Sequence, residues 1–345
     1  MRKPRRLRPG SQLVVISPAW GGPSLFPRVH ESGLRNLELL GFRVHEYPGT
    51  RMDADKTYQN PRLRAEEVNR AFADPDIDGI ITTIGGDDSA RILKYLDLEL
   101  IAANHKFFMG YSDITTINSW LNQHGLVMFN GPSVMAGFSQ FASFDEKYQR
   151  YLRDYLFSPQ ERNILPSFEE YYDGYPDWAI ESNLGLLNPP RRNDGPRFLQ
   201  GKGVSTGTLF GGCAEVLEML KGTAFWPAPD FWDGKILFLE TSEEKPSIDY
   251  MGFWLRNYGV MEVFQRISGL LIGRARDYSD QEKDELDRRI IRVVRDEFGC
   301  SSLPVVTNLD FGHSDPQLIL PLGIRFEIDA DRRRIVQAES AFADE

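Results

Sequence analysis

At 345 residues the chain can form one large or two ordinary domains, and 41% hydrophobic with 26% charged residues is a globular composition that excludes general disorder. A formal net charge of −10 argues against nucleic acid as a partner, because phosphate contacts need a basic face. No apolar run reaches membrane-spanning length, so no membrane association is expected either.

The basic run Arg2, Lys3, Arg5, Arg6 and Arg8 reads as a solvated terminus. It does not open a signal peptide, since the next apolar run, Leu13 to Ile16, is too short for an h-region and ends at Ser17-Pro18. Two cysteines, Cys213 and Cys300, do not suggest a disulfide framework, which fits a reducing cytoplasm. From Leu13 onward short apolar runs alternate with helical patterns. Leu13–Ile16 predicts a strand. Pro27 to Leu40 predicts a helix, with proline in its first turn and Gly41 as its stop. Phe42–Tyr47 is a second strand. Asn60 can cap a helix that starts at Pro61 and carries Ala65, Val68 and Phe72 on one face. Gly79–Ile84 predicts a strand, Ser89–Leu96 a helix and Phe107–Gly110 a strand. Ile114, Ile117, Trp120 and Leu121 then recur at helical spacing. Repeated units of this kind imply a parallel sheet covered on both faces, with ligands bound beyond the carboxyl ends of its strands.

Two loops fall at those ends. In Gly110-Tyr111-Ser112-Asp113, Ser112 sits where a strand turns into a helix. Such a hydroxyl projects above the sheet edge, and helix-opening N–H groups lie behind it. That suits a nucleophile, but the turn lacks the second glycine of G-x-S-x-G, and on these residues alone a serine that simply caps the helix is the plainer reading. The other loop is Gly85-Gly86-Asp87-Asp88-Ser89. Its glycines allow backbone N–H groups to approach a substrate closely. Asp87 and Asp88 could hold a metal, but no histidine or further acid lies close in sequence. A tight turn capped by Asp88 or Ser89 is the plainer alternative.

From about Leu165 to Gly203 the periodicity stops. Tyr171, Tyr172, Tyr175 and Trp178 stand among Pro, Gly, Asn and Asp, which suits a lid or stacking surface, or else a linker with aromatic anchors. Beyond it Gly207–Gly211 leads into a helix that Gly222 stops. Ile236–Leu239, Leu270–Ile272 and Val305–Asn308 predict strands; Pro246–Tyr258 and Ser279–Phe298 predict helices. The end, from Gln317, predicts short strands.

A serine nucleophile needs a base, and the base needs a partner to hold its tautomer. Of five histidines, His30 and His45 fall inside predicted elements, His105 precedes a strand, and His124 ends a helix. His313 differs, lying in the irregular loop Gly312-His313-Ser314-Asp315-Pro316 after a strand. Among acids, Glu240 ends an apolar strand and is well placed to face a crevice. Glu243 and Glu244 are nearby alternatives expected to face solvent.

Taken together, Thr83-Ile84-Gly85-Gly86-Asp87-Asp88-Ser89, Gly110 to Thr115, Gly211-Gly212, Phe238-Leu239-Glu240 and Gly312-His313 resemble the LD-carboxypeptidase family of serine peptidases. Matching segments run from Leu7-Arg8-Pro9-Gly10 to Pro321-Leu322-Gly323. The resemblance implies an α/β fold: an N-terminal flavodoxin-like domain with a parallel sheet (1–165), an aromatic-rich linker or active-site loop (166–203), and a smaller C-terminal α/β domain (204–345) carrying the Glu and His of a triad. By motif it implies Ser112 as nucleophile, Glu240 as orienting acid and His313 as base, with the backbone of Gly86 and Asp113 as oxyanion hole. Gly85, Asp87, Ser89 and Trp178 are the expected substrate contacts. No cofactor and no metal is expected, and a homodimer is. One branch of the family trims D-alanine from murein tetrapeptides; the microcin C immunity branch cleaves aminoacyl-nucleotide toxins. The Ile-Gly-Gly-Asp-Asp-Ser loop and the aromatic segment resemble the second branch. Cys213 departs from it, standing where that branch usually has Asn, and Gly195-Pro196-Arg197-Phe198 lacks a tryptophan often found nearby. The expected substrate is a small peptide or an aminoacyl-nucleotide conjugate. A non-catalytic ligand-binding protein of the same fold is the alternative.

Overall fold

The alternation of apolar runs and helices becomes a parallel sheet in the computed structural model, which describes residues 1–343. Strands β1 (Gln12–Ile16), β2 (Arg43–Glu46), β3 (Gly79–Thr82), β4 (Phe107–Met109) and β5 (Met128–Asn130) lie in the order β2-β1-β3-β4-β5. This is the flavodoxin-like order, and all four pairings are parallel. Residues of β3, β4 and β5 are buried on both faces, which is why they read as continuous apolar runs instead of alternating ones. The helix Pro27–Leu40 begins on proline and ends at Gly41, whose φ of +116° only glycine adopts readily. Pro61–Ala73 also starts on its proline, but Asn60 does not cap it: the amide donates backward to the Lys56 carbonyl at 2.7 Å. Ser89–Tyr95 winds as a 3₁₀ turn.

A second, eight-stranded sheet is built around four parallel strands, β6 (Val204–Cys213), β7 (Lys235–Glu240), β8 (Gly269–Gly273) and β9 (Val305–Leu309). Arg325–Asp329 and Arg197–Gln200 flank this core, both antiparallel. The segment between 166 and 203 is therefore not a free linker. Arg197–Gln200 joins the second sheet, and Glu170–Asp173 pairs with both Arg191–Arg192 and Ser314–Asp315. Strands of two to four residues are too short to show a period-two pattern, so the sequence hides them. Leu320–Leu322 crosses back and pairs antiparallel with β5, so a piece of the C-terminal portion completes the first sheet.

The two sheets meet at the end of β6. Gly212 packs so closely on Thr115 that a Cβ there would collide with the threonine side chain, and the Cys213 N–H donates to Thr115 Oγ1 at 3.0 Å. The carboxyl ends of β3 and β4 thus face those of β7, β8 and β9. Among the described residues no helix is long and apolar enough to cross a membrane.

Candidate active site

Ser112 lies three residues past β4, and its backbone is left-handed, with φ of +62°. For a residue with a Cβ that conformation costs roughly 1–2 kcal/mol. Ser112 does not act as a helix cap: the cap position falls on Tyr111, and no side-chain cap bond forms there. The turn is held by its neighbour instead. Asp113 is buried, and its Oδ2 accepts the backbone N–H groups of Asp88 at 3.1 Å and Ser89 at 2.9 Å. Burial pushes its carboxyl up to about 6, against the pull of those hydrogen bonds. The carboxylate thereby ties the turn after β4 to the glycine loop after β3.

That loop is fixed from its other side by Arg64, which is almost fully buried. Its guanidinium donates to Asp88 Oδ1 at 2.7 Å and Oδ2 at 2.9 Å, and to the Ala19 carbonyl at 2.7 Å. Asp88 is spent on this ion pair and on Arg91, not on a metal. Among the described residues no group of three or more His, Cys, Asp or Glu is gathered as for a metal ion. Gly85 lies hard against Ser112: a Cβ on it would be 2.7 Å from both Cβ and Oγ of the serine and 3.2 Å from the Asp113 nitrogen. The Asp113 N–H belongs to the first turn of a helix and so has no intrahelical acceptor.

From the second sheet come Glu240, the last residue of β7, and His313, four residues past β9. Both are buried, and His313 Nδ1 lies 2.6 Å from Glu240 Oε2. Gly312 makes this approach possible. Its φ is +105°, and a Cβ there would sit 2.8 Å from Glu240 Oε2. A carboxylate can only accept, so Nδ1 carries the hydrogen and Nε2 of the neutral ring presents its lone pair. Nε2 is buried and has no hydrogen-bond partner among the described residues. Glu243 Oε2 lies 3.2 Å from it; both atoms are acceptors while the ring is neutral, so they form an ion pair only when the imidazole is protonated. Burial opposes a charged imidazole; the charge and hydrogen bond of Glu240, helped by Glu243, outweigh it and raise the His313 pKa above its ordinary value.

Ser112, His313, Gly85, Gly86, Asp87 and Trp178 line one cavity of about 360 Å³, a volume suited to a small molecule. Ser89 does not reach it. It is fully buried, with its hydroxyl donated to the Asp113 carbonyl at 2.7 Å, so its part is to brace the turn. Glu243 and Glu244, expected in solvent, line the cavity, as does Tyr175 from the aromatic segment, together with Tyr111 and Arg276, which the sequence did not single out. Cys213 does not line it: its side chain is buried, with Sγ 3.5 Å from Glu215 Oε2. Trp178 stands in the wall between this cavity and a neighbouring one, packed against Phe26 and Tyr175 with ring centroids 5.5 and 5.6 Å away. The other histidines are occupied elsewhere: His30 with Glu46, His45 with Gln12, His124 with the Trp120 carbonyl, and His105 against Phe72.

Comparison with known proteins adds to this geometry. The N-terminal domain of the LD-carboxypeptidase family matches residues 13–131, and its C-terminal domain matches residues 206–328. YocD of Bacillus subtilis, provisionally named a carboxypeptidase, is 29% identical over 334 residues, covering 94% of this chain and 95% of its own. The microcin C7 self-immunity protein MccF of Escherichia coli is 28% identical over 322 residues, covering 91% of this chain and 89% of its own. An MccF-like protein from Streptococcus pneumoniae, solved in complex with AMP, superposes with a TM-score of 0.83 at 27% identity, covering 94% of this chain and 98% of that one.

Proposed function

The chain belongs to the LD-carboxypeptidase family, and from that premise we propose that it is a serine carboxypeptidase acting on a small peptide or peptide conjugate. The observation that carries the reading is the buried Glu240–His313 pair, 2.6 Å apart, with the unpartnered Nε2 in the same cavity as the strained Ser112. Ser112 Oγ attacks the scissile carbonyl and His313 Nε2 takes its proton. Glu240 holds the tautomer and steadies the imidazolium. The N–H groups of Gly86 and Asp113 receive the oxyanion. His313 then gives its proton to the leaving nitrogen, the C–N bond breaks, and an acyl-enzyme remains. Water, deprotonated by the same nitrogen, releases the acid and restores Ser112. No step calls for a metal.

A second reading of the substrate, an aminoacyl-nucleotide conjugate, draws on Trp178 in the cavity wall and on the AMP held by the Streptococcus pneumoniae protein. The murein-type peptide and the conjugate share the scissile amide and differ in the leaving group. The mechanism is tested by incubating the protein with a serine-directed fluorophosphonate and locating the label by peptide mass spectrometry. Label on Ser112, and loss of several orders of magnitude in kcat on Ser112→Ala with the melting curve unchanged, is the expected result. Label on another serine, or an active alanine variant, would overturn it. A non-catalytic ligand-binding protein would take no label.

A further inference from the structure

A carboxypeptidase must tell a chain end from an internal bond. The distinguishing feature of a chain end is a negative charge close to the scissile nitrogen. An acyl-sulfamate conjugate carries a negative charge in a similar place. Either group needs a cation in the cavity. Of the charged side chains that line it, Asp87, Glu243 and Glu244 are acids, and Arg276 is the one guanidinium.

Arg276 lies three residues past the end of β8, which is the strand next to that of Glu240. Its side chain is about four-fifths buried, with 19% exposure. The ion pair it makes among the described residues runs through Nε to Asp277, at 3.1 Å, and Asp277 is itself half exposed. Among the described residues neither Nη atom has a carboxylate partner, and no ion pair joins Arg276 to Glu243 or Glu244. The guanidinium is nonetheless held in place. It packs on Gly174, where a Cβ would collide with Nη2 and lie 2.9 Å from Cζ. A fixed guanidinium with both terminal nitrogens uncommitted is suited to a planar anion.

We propose that Arg276 is the anion anchor of this cavity and sets its preference for a substrate whose leaving group carries a negative charge beside the scissile amide. This rests on the peptidase reading above. The anion is the terminal carboxylate of a peptide or the sulfamate of an aminoacyl-nucleotide; both offer paired oxygens to the same fork. Three acids elsewhere in the cavity repel that charge, so the leaving group has one place to lie. Arg276 is a specificity residue here, binding substrate and not moving protons.

The test uses two matched pairs of probes: a tetrapeptide ending in free D-alanine and its carboxamide, and an aminoacyl-sulfamoyl adenosine and a neutral amide of the same nucleoside. Arg276→Gln should raise KM for the charged member of one pair by about 10- to 100-fold, with kcat little changed, and leave the neutral member unaffected. Arg276→Lys should recover part of the loss. The pair that responds identifies the source of the anion. Equal losses on charged and neutral probes, or no loss on either charged probe, would overturn the assignment. A wild type that hydrolyses none of the four would instead defeat the peptidase reading. Calorimetric binding of the same probes to wild type and Arg276→Gln then still decides the inference, since an anion anchor must favour the charged member.

Discussion

Gly85→Ala asks whether the turns after β3 and β4 act as one machine. Gly85 is not in the left-handed region, so alanine is conformationally tolerable there; what opposes it is space. The new Cβ would lie 2.7 Å from Cβ and Oγ of Ser112. Carbon atoms settle at about 3.5–4.0 Å, so the two turns must part by about 1 Å. Overpacking of this size costs about 1–3 kcal/mol, which lowers Tm by several degrees without unfolding the protein. The effect on rate is larger. A misplacement of about 1 Å at reacting atoms costs on the order of 10²-fold, and loss of one oxyanion donor about 10²–10³-fold. kcat should therefore fall by about 10²–10³ with a modest loss of Tm, and phosphonate labelling of Ser112 should slow in step. Gly86→Ala is the control. Its Cβ would face Ala19 and Trp20, 3.1 Å from Trp20 Cβ, so it presses on the far side of the loop and should cost less rate. Gly85→Ala with kcat within threefold of wild type, and normal labelling, refutes the reasoning.

Glu243→Gln removes one of the charges that hold His313 above its ordinary pKa of 6.5. A raised base stays protonated, and idle, further up the pH scale, so the acid limb of kcat/KM should move to lower pH in this variant; an unmoved limb would show that Glu243 does not act on His313. Arg64→Met leaves Asp88 and the Ala19 carbonyl without their buried donor. It should destabilise the protein by about 3–5 kcal/mol in chemical denaturation and lower kcat by loosening the Gly85-Gly86 loop; a loss under 1 kcal/mol would mean the pair is dispensable. Trp178→Ala should cut kcat/KM for an aminoacyl-sulfamoyl adenosine by about 10- to 100-fold, the worth of one stacked base, and barely touch a murein tetrapeptide. Equal losses on both substrates would reduce Trp178 to a structural wall between the cavities.

Sequence made some of this legible and hid the rest for physical reasons. Ser112 is visible because strand, turn and helix are contiguous. Glu240 and His313 are visible because the carboxyl ends of parallel strands face ligands, and each follows an apolar run. The same rule applied to β8 meets two arginines. Arg274 and Arg276 are two residues apart, yet Arg274 is buried against Asp310 at 2.6 Å while Arg276 lines the cavity. After the strand ends, alternation no longer tells which of them turns inward. Ser89 looks available in a Gly-Gly-Asp-Asp-Ser loop, but the contact that buries it comes from Asp113, 24 residues on. Glu243 looks like a solvent acid and is about half exposed, yet the loop after β7 returns it to His313. Each of these depends on a contact between distant segments, which local pattern does not carry.

The candidate site is also a joint, and this bears on how it should fail. Ser112 belongs to the first sheet and the Glu240–His313 pair to the second, so their relative placement depends on how the sheets dock. The Tyr111 ring packs on that of His313, with centroids 4.9 Å apart, and a hydrogen-bonded path also connects them. Thr115, three residues past Ser112, accepts the Cys213 N–H at 3.0 Å; Cys213 is in register with Glu240 across β6 and β7; Glu240 meets His313 at 2.6 Å. The closeness of that path requires Gly212, since a side chain there would collide with Thr115. Each sheet has its own buried strands, so a small separation at this joint should leave the strand pairing within each sheet intact. What it changes is the position of Ser112 relative to Nε2, where about 1 Å matters on the order of 10²-fold. Activity should therefore be lost before structure when the joint is loosened. A Gly212→Ala variant whose denaturation midpoint falls in proportion to its kcat would contradict this ordering, because the joint would then be part of the folding core and not a hinge point of the site.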